Sequence, residues 1–516
     1  MSRSYRPVYH ASVPSGWAND PNGTICYGGR AHLFYQHYPY KSAWGTMHWG
    51  HFATEDFVRW ENLPVALRPD RDYETICGCC SGSATEKDGK LYLLYTCAQP
   101  DLQRQCLAWS EDGGVTFVKD ADNPILTADM LDDEVFHEDF RDPRIFQKGD
   151  AYYMVAGIRL LSPEEIAAGA NERKPKPDGE VDAEPRSPSA GEASGAEGTG
   201  KPGYGNLLLA RSRDLKHWEY VGHMLDPQPE YDDAFYHLDG VYECPDYFEL
   251  DGAEVLLSSP QNLPQMGRRY QNIHSGLYMF GKLDFGTGRF DVRRIGELDA
   301  GFDFYAAQTL DTPDGRRILI AWKEMWDRSF PTQAEGWAGT YTLPRELSVE
   351  DGALIQRPVR ELASFRQNRV LCAQLDVDAG EAAIDGVSGN VMELRFTLEP
   401  GTAAKAGVKL FCGTAHETLV YYDRGERALV FDRSRSGIQL TGREDDVNRR
   451  YCELGEPESV ELALYLDVSS LEVFVDGGRR TMTGNVYPDA EDVGVRFFAE
   501  GGACRFRGVE KYDIIV

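Results

Sequence analysis

The chain of 516 residues lacks any run of eighteen apolar residues, and the opening Met1-Ser2-Arg3-Ser4-Tyr5-Arg6-Pro7 has no apolar h-region. Neither a membrane span nor a signal peptide is therefore expected, and the expected location is the cytoplasm. Positive charge is scarce: 54 Lys and Arg stand against 83 Asp and Glu, a formal net charge of -29. Such a balance repels phosphate backbones and anionic membrane surfaces, which excludes nucleic acid and membrane as expected partners. The acids are spread along the chain and serve solubility. Paired cysteine spacing is missing too. Eleven cysteines at irregular intervals fit reduced thiols, and Cys77-Gly78-Cys79-Cys80 has no second matching pair, so buried strand thiols are expected there and no metal site. A phosphate-binding glycine loop and convincing long helical patterns are also wanting, and no cofactor is expected.

What the chain does have is regular punctuation. Tight-turn signals at Gly28-Gly29, Asp88-Gly89, Gly149-Asp150, Asp251-Gly252 and Asp314-Gly315 each separate apolar, aromatic-rich runs and read as hairpins. From Gly29 the steps to Gly89, Gly149, Gly252 and Gly315 are 60, 60, 103 and 63 residues. The long step holds a Pro-, Gly-, Ser- and Glu-rich stretch, 161–203, too poor in large apolar residues to order itself. Without those roughly 40 residues the period returns to about 60, the mark of a repeat architecture. Thr54 to Trp60 and Ser212 to Trp218 share one spacing, and Ser110-Glu111-Asp112 begins a looser copy. The expected fold is all-β: a five-bladed β-propeller over 1–350, a linker over 351–369, and a C-terminal β-sandwich over 370–516, where alternation in Val391 to Leu398, Val460 to Asp467 and Val493 to Ala499 marks strands buried on one face. The sandwich offers a surface for a homo-oligomer.

Three acids stand shortly before prolines near the start of different repeats. Trp17-Ala18-Asn19-Asp20-Pro21-Asn22-Gly23 holds Asp20 extended ahead of turn chemistry. Arg141-Asp142-Pro143 sets an arginine beside an acid, which is expected to keep Asp142 ionised. Glu243-Cys244-Pro245 places a glutamate in an apolar setting that is expected to raise its pKa and make it a proton donor. Converging on a propeller axis, an ionised and a protonated carboxyl flanking a glycosidic bond are the equipment for glycoside hydrolysis; a separation of roughly 5 to 5.5 Å retains configuration through a covalent intermediate.

These motifs resemble those of glycoside hydrolase family 32, the invertases, fructanases and sucrose-6-phosphate hydrolases. Other segments similar to the family's are Leu33-Phe34-Tyr35-Gln36, Trp44 to His51, Leu63 to Asp70, Ser81-Gly82-Ser83, Asp303 to Gln308 and Leu343 to Leu347. The resemblance implies that Asp20 is the nucleophile, Glu243 the acid/base and Asp142 the transition-state stabiliser. It also implies that Asn19, Gln36, Ser81 and Arg141 hydrogen-bond a fructosyl unit walled by Trp44, Tyr305 and Trp322. Two departures stand out: Cys80 occupies a position where phenylalanine is usual, and Ala307 one where proline is common.

The activity so implied is that of a retaining β-fructofuranosidase acting on a small carbohydrate: sucrose, sucrose 6-phosphate or short fructo-oligosaccharides. A phosphorylated substrate would need a basic patch, for which Lys41, Arg71 and Arg104 are available. The alternatives are a fructosyltransferase using the same intermediate and a sugar-binding propeller without catalysis, the latter at odds with retention of all three acids.

Overall fold

The computed structural model describes residues 4–99, 102–172, 200–226, 238–442 and 447–516. Among these residues the chain is almost entirely β. The N-terminal region forms five sheets of four or five strands, and the C-terminal region forms a pair of six-stranded sheets, an arrangement consistent with a propeller followed by a sandwich.

Each of the five N-terminal sheets opens on a strand that runs along a common centre: β1 (Gly16–Tyr27), β2 (Gly82–Lys87), β3 (Val135–Lys148), β4 (Tyr242–Leu250) and β5 (Tyr305–Asp311). β1 packs on both β2 and β5, β2 on β3, β3 on β4, and β4 on β5, so these strands close a ring. All five turn signals lie between the first and second strands of a sheet, with Tyr27 facing Arg30, Lys87 facing Lys90, Lys148 facing Ala151, Leu250 facing Ala253 and Asp311 facing Arg317. Asp88 and Gly89 have φ of 52° and 76°, and Asp251 and Gly252 of 50° and 81°, the left-handed pair that a two-residue hairpin turn requires. The spacing shared by Thr54 to Trp60, Ser212 to Trp218 and the looser copy from Ser110 closes the outer hairpins. Asp56 accepts from the amides of Val58 and Arg59, Asp112 from those of Val115 and Thr116, and Asp214 from those of Lys216 and His217.

A separate apolar cluster fills each gap between neighbouring sheets. Phe34, Trp49 and Leu93 lie between the first two, and Phe248, Leu257 and Leu319 between the last two. The ring is also stitched where the chain returns: Trp337–Ala338 pairs in parallel with Gly16 and Trp17 of β1. Polar ties cross the centre. Arg144 on β3 meets the Asp246 carboxylate at 2.8 Å, Asp246 accepts from the amide and hydroxyl of Thr309, and Ser83 on β2 donates to the carbonyl of Pro143. Arg144 and Asp246 are thus buried as an ion pair, and Arg144 Nη2 also donates to the Thr309 carbonyl at 2.8 Å.

The sandwich core is built from Leu394, Phe396, Leu464, Val473, Phe497 and Phe506, drawn from both six-stranded sheets. Arg345 joins it to the N-terminal region. Wholly buried, its guanidinium reaches Asp299 at 3.2 Å, Gln356 at 2.8 Å and Glu472 at 2.7 Å.

Two expectations change. The stretch 351–369 is no bare linker: Ala353–Pro358 completes the fifth sheet against Arg345–Glu350, Arg360–Phe365 makes a short 3-10 helix, and a sandwich strand begins at Arg366. A turn at Asp351-Gly352, with φ of 50° and 67°, hid the last hairpin inside the expected connection. Most of the expected unstructured insertion, 173–199, lies outside the described residues, and the described flank carries a short helix, Pro163–Ala167, capped by Ser162.

Candidate active site

Asp20, Asp142 and Glu243 stand at matching places on their strands, and each strand loses its regular register there. The ladder shifts between Ala18 and Pro21, between Arg141 and Arg144, and between Glu243 and Asp246. A proline follows within two residues of each acid and offers no N–H to the ladder, so a bulge forms and re-aims the side chain. Asp142 and Cys244 take φ of 60° and 46° to make the bend. β5 bends likewise between Tyr305 and Gln308, with Ala306 at 54°, although alanine stands at 307. The bulges on β1, β3 and β4 thus turn the three acids into one cavity of about 280 Å³.

Asp20 lies half-buried on the cavity wall. Ser81 Oγ donates to its Oδ2 at 2.7 Å and Asn19 Nδ2 to its Oδ1 at 3.1 Å, with the Asn19 amide held by Trp17 Nε1 at 2.8 Å. Burial, and then the negative charge of Glu243, push its carboxyl up to about 6 against those hydrogen bonds. Asp142 accepts from the Cys244 amide at 3.1 Å, and the Cys244 thiol lies 3.7 Å from Asp20 and 3.8 Å from Asp142, between the two.

Arg141 is placed differently from expectation. Its Nε donates to Glu243 Oε1 at 3.1 Å, its Nη1 to Asp139 at 2.5 Å and its Nη2 to Gln261 at 3.1 Å. Burial first and Glu243 second lift the Asp142 carboxyl to about 7, with Arg141 only partly opposing them, so the adjacent arginine does not hold it low as expected. Nor is the setting of Glu243 apolar: besides Arg141 it carries the Tyr305 hydroxyl, which donates to Oε2 at 2.7 Å.

Of the other candidates, Asn19, Gln36, Trp44 and Ser81 line the cavity with Asp20, Arg141, Asp142 and Glu243. Tyr305 and Trp322 do not line it. Tyr305 is buried behind Glu243, and Trp322 is wholly buried against Trp17 and Trp326. In place of Trp322, Trp326, four residues on in a loop with no strand pattern to mark it, reaches the cavity together with Trp44. Sequence reasoning also missed Glu138 and Asp139 on the first strand of the third sheet, Lys201 shortly before that sheet's third strand, and Gln261 just past the second strand of the fourth, whose only signal is a polar side chain. Cys77 and Cys80 belong to the cavity wall and are not the buried strand thiols expected; Cys79 is buried. Lys41, Arg71 and Arg104 are not among its lining residues.

Residues 10–167 and 194–358 match the N-terminal domain of glycosyl hydrolases family 32, and residues 361–514 its C-terminal domain. The chain belongs to glycoside hydrolase family 32. It is 35% identical to a sucrose-6-phosphate hydrolase of Zymomonas mobilis, over 100% of this chain and 93% of that one. It is 32% identical to a raffinose invertase of Escherichia coli, over 97% of this chain and 93% of that one. Among solved structures, a β-fructofuranosidase of this family from Bombyx mori superposes with a TM-score of 0.75 at 31% identity, covering 99% of this chain and 94% of that one. A sucrose-6-phosphate hydrolase from Lactobacillus gasseri reaches 0.79 at 27%, covering 99% and 93%.

Proposed function

We propose that the protein is a retaining β-fructofuranosidase that releases fructose from sucrose, sucrose 6-phosphate or short fructo-oligosaccharides, acting in the cytoplasm. The observation that carries this reading is the convergence of Asp20, Asp142 and Glu243 on one cavity in a chain of this family. The five ring-forming strands support a five-bladed propeller over about 1–358, followed from 361 by the sandwich.

In the first step Asp20 attacks the anomeric C2 of the fructosyl unit. The bond from C2 to the glycosidic oxygen breaks, and that oxygen takes the proton of Glu243. In the second, Glu243 removes a proton from water, the water oxygen bonds to C2, and the bond from C2 to Asp20 breaks, restoring both carboxyls. Asp142 accepts hydrogen bonds from sugar hydroxyls as positive charge develops at the ring. Ser81 and Asn19 aim Asp20, Arg141 and Tyr305 aim Glu243, and Trp44 and Trp326 cover the apolar faces of the sugar.

Chromatography of the products from sucrose, sucrose 6-phosphate, kestose and inulin tests this, with Asp20→Asn as control. Free fructose that disappears in the control is the expected result. Intact substrates with a folded protein overturn it, and growth of longer oligosaccharides at high sucrose redirects it to transfer.

A further inference from the structure

Resting on that reading, we infer that Tyr341 is a positioning residue for Asp20: its hydroxyl takes over where strand pairing beside the proposed nucleophile ends, and it acts through Asn19.

β1 has a neighbour on each edge at its start. On one edge its antiparallel ladder with Arg30–Tyr38 shifts register between Ala18 and Pro21. On the other, the parallel pairing reaches only from Gly16 with Trp337 to Trp17 with Ala338. Asn19 and Asp20 therefore lie where regular pairing lapses on both edges. Close contact nevertheless continues past Ala338. Gly339, at φ of 128°, lies so near Ala18 that a Cβ there would come within 2.6 Å of the Ala18 carbonyl oxygen. Two residues further on, Tyr341 reaches back, and its hydroxyl donates to the Asn19 carbonyl at 2.8 Å.

The donor is fixed by the fold. The Tyr341 ring is wholly buried, 5.8 Å from that of Tyr35, and its amide donates to the Ala11 carbonyl at 3.0 Å. Burial pushes the phenol well above its ordinary range, so it stays protonated where Asp20 titrates. Asn19 is the pivot. Its carbonyl accepts from Tyr341, its side-chain oxygen accepts from Trp17 Nε1 at 2.8 Å, and its Nδ2 donates to Asp20 Oδ1 at 3.1 Å. A buried carbonyl stripped of its donor must move to find another. That movement passes to the Asn19 amide and to Asp20, next in the chain, and attack on C2 depends on the alignment of the reacting atoms. The other groups facing Asp20, namely Ser81, Glu243, Asp142, Tyr305 and the Cys244 thiol, belong to other strands and keep their own supports.

The test measures kcat and KM for sucrose and kestose, with pH profiles, in full-length wild type, Tyr341→Phe, Asn19→Ala and the double variant. Tyr341→Phe should lower kcat about tenfold while KM changes by less than about twofold. Its acid limb should move to higher pH, because a loosened Asn19 amide favours the charged form of Asp20 less. The double variant should lose less than the product of the two single losses. A kcat within about twofold of wild type overturns the inference. So does a fall that leaves the acid limb in place and simply multiplies with that of Asn19→Ala. If circular dichroism shows that Tyr341→Phe does not fold, Tyr341→Met, which refills the space without a hydroxyl, carries the same measurements. Failure of both to fold makes the hydroxyl a structural one and overturns the inference as well. Wild type that cleaves neither sugar removes instead the hydrolase reading beneath it, so the two failures are told apart.

Discussion

Arg141 Nε donates to Glu243 Oε1 at 3.1 Å, across the gap between the third and fourth sheets, while Asp142, its neighbour in the chain, faces the Cys244 amide. The arginine therefore orients the carboxyl assigned to proton transfer and leaves the other two acids to share burial and mutual repulsion. Each of the three carboxyls has its own supporting groups, and these can be removed separately.

Asp20→Asn and Glu243→Gln should each lower turnover of sucrose by about 10³-fold or more, since a covalent or proton-transfer step is lost. Fructose release checks this, with circular dichroism confirming the fold.

Tyr305→Phe removes the hydroxyl that lies 2.7 Å from Glu243 Oε2 and 2.8 Å from the Ser259 carbonyl and can donate its one proton to either. A hydrogen bond to an ionisable partner contributes about 1.5–3 kcal/mol, so kcat should fall about 10- to 100-fold. Tyr305 does not line the cavity, so KM should move little. A split of kcat from KM in steady-state kinetics distinguishes this from a lost sugar contact.

As the proposed nucleophile, Asp20 must be ionised to attack, and burial pushes its carboxyl up to about 6. kcat/KM should therefore fall as pH drops below that value. Ser81→Ala deletes a donor that favours the charged form, so the acid limb should move to higher pH and the variant should lose more activity at pH 5 than at pH 8. A pH profile of both proteins checks the direction.

Raised carboxyls also link stability to pH. Asp20 and Asp142 titrate at about 6 and about 7 in the folded protein against an ordinary 3.8, so the folded state binds more protons than the unfolded chain between pH 4 and 7. Stability is thus lost as pH rises through that window, by about 3 kcal/mol for a shift of about two units. Asp20→Asn should be more stable than wild type at pH 8, with the gap closing towards pH 4. Thermal melts across pH test the trend.

Arg345→Ala would strand the buried carboxylates of Asp299 and Glu472 where the propeller-like and sandwich regions meet. Breaking one side of such a buried network costs about 3–5 kcal/mol. Denaturant unfolding should show this loss, and Arg345→Lys should not restore it, because one ammonium cannot span the partners of a guanidinium fork.

Much of the fold was legible because it is local. Two-residue turns carry their own chemistry, and Asp88-Gly89 and Asp251-Gly252 close hairpins without help from distant residues. The sandwich strands marked by strict alternation, such as Met392–Glu399 and Val460–Asp467, were legible for the same reason. Strands Arg366–Val377 and Cys504–Ile514 were not, because they pair with each other and carry arginines, lysines and acids on exposed faces. At the site, the prolines announced where Asp20, Asp142 and Glu243 stand. What they could not announce was contact between sheets: that Arg141 would choose Glu243, or that Trp326 would reach the cavity while Trp322 packed behind it. Those choices follow from sheet twist and loop path, which no window of neighbouring residues contains.

The parallel pairing of Trp337 and Ala338 with Gly16 and Trp17 has a consequence for how the enzyme is made. A growing chain leaving the ribosome would present Asp20 early, on a strand whose edge stays open until roughly three hundred further residues have been synthesised. Asp20, the proposed nucleophile, would be the first of the three acids to be translated and among the last to be secured, so truncation anywhere before Trp337 should yield a protein without a working centre.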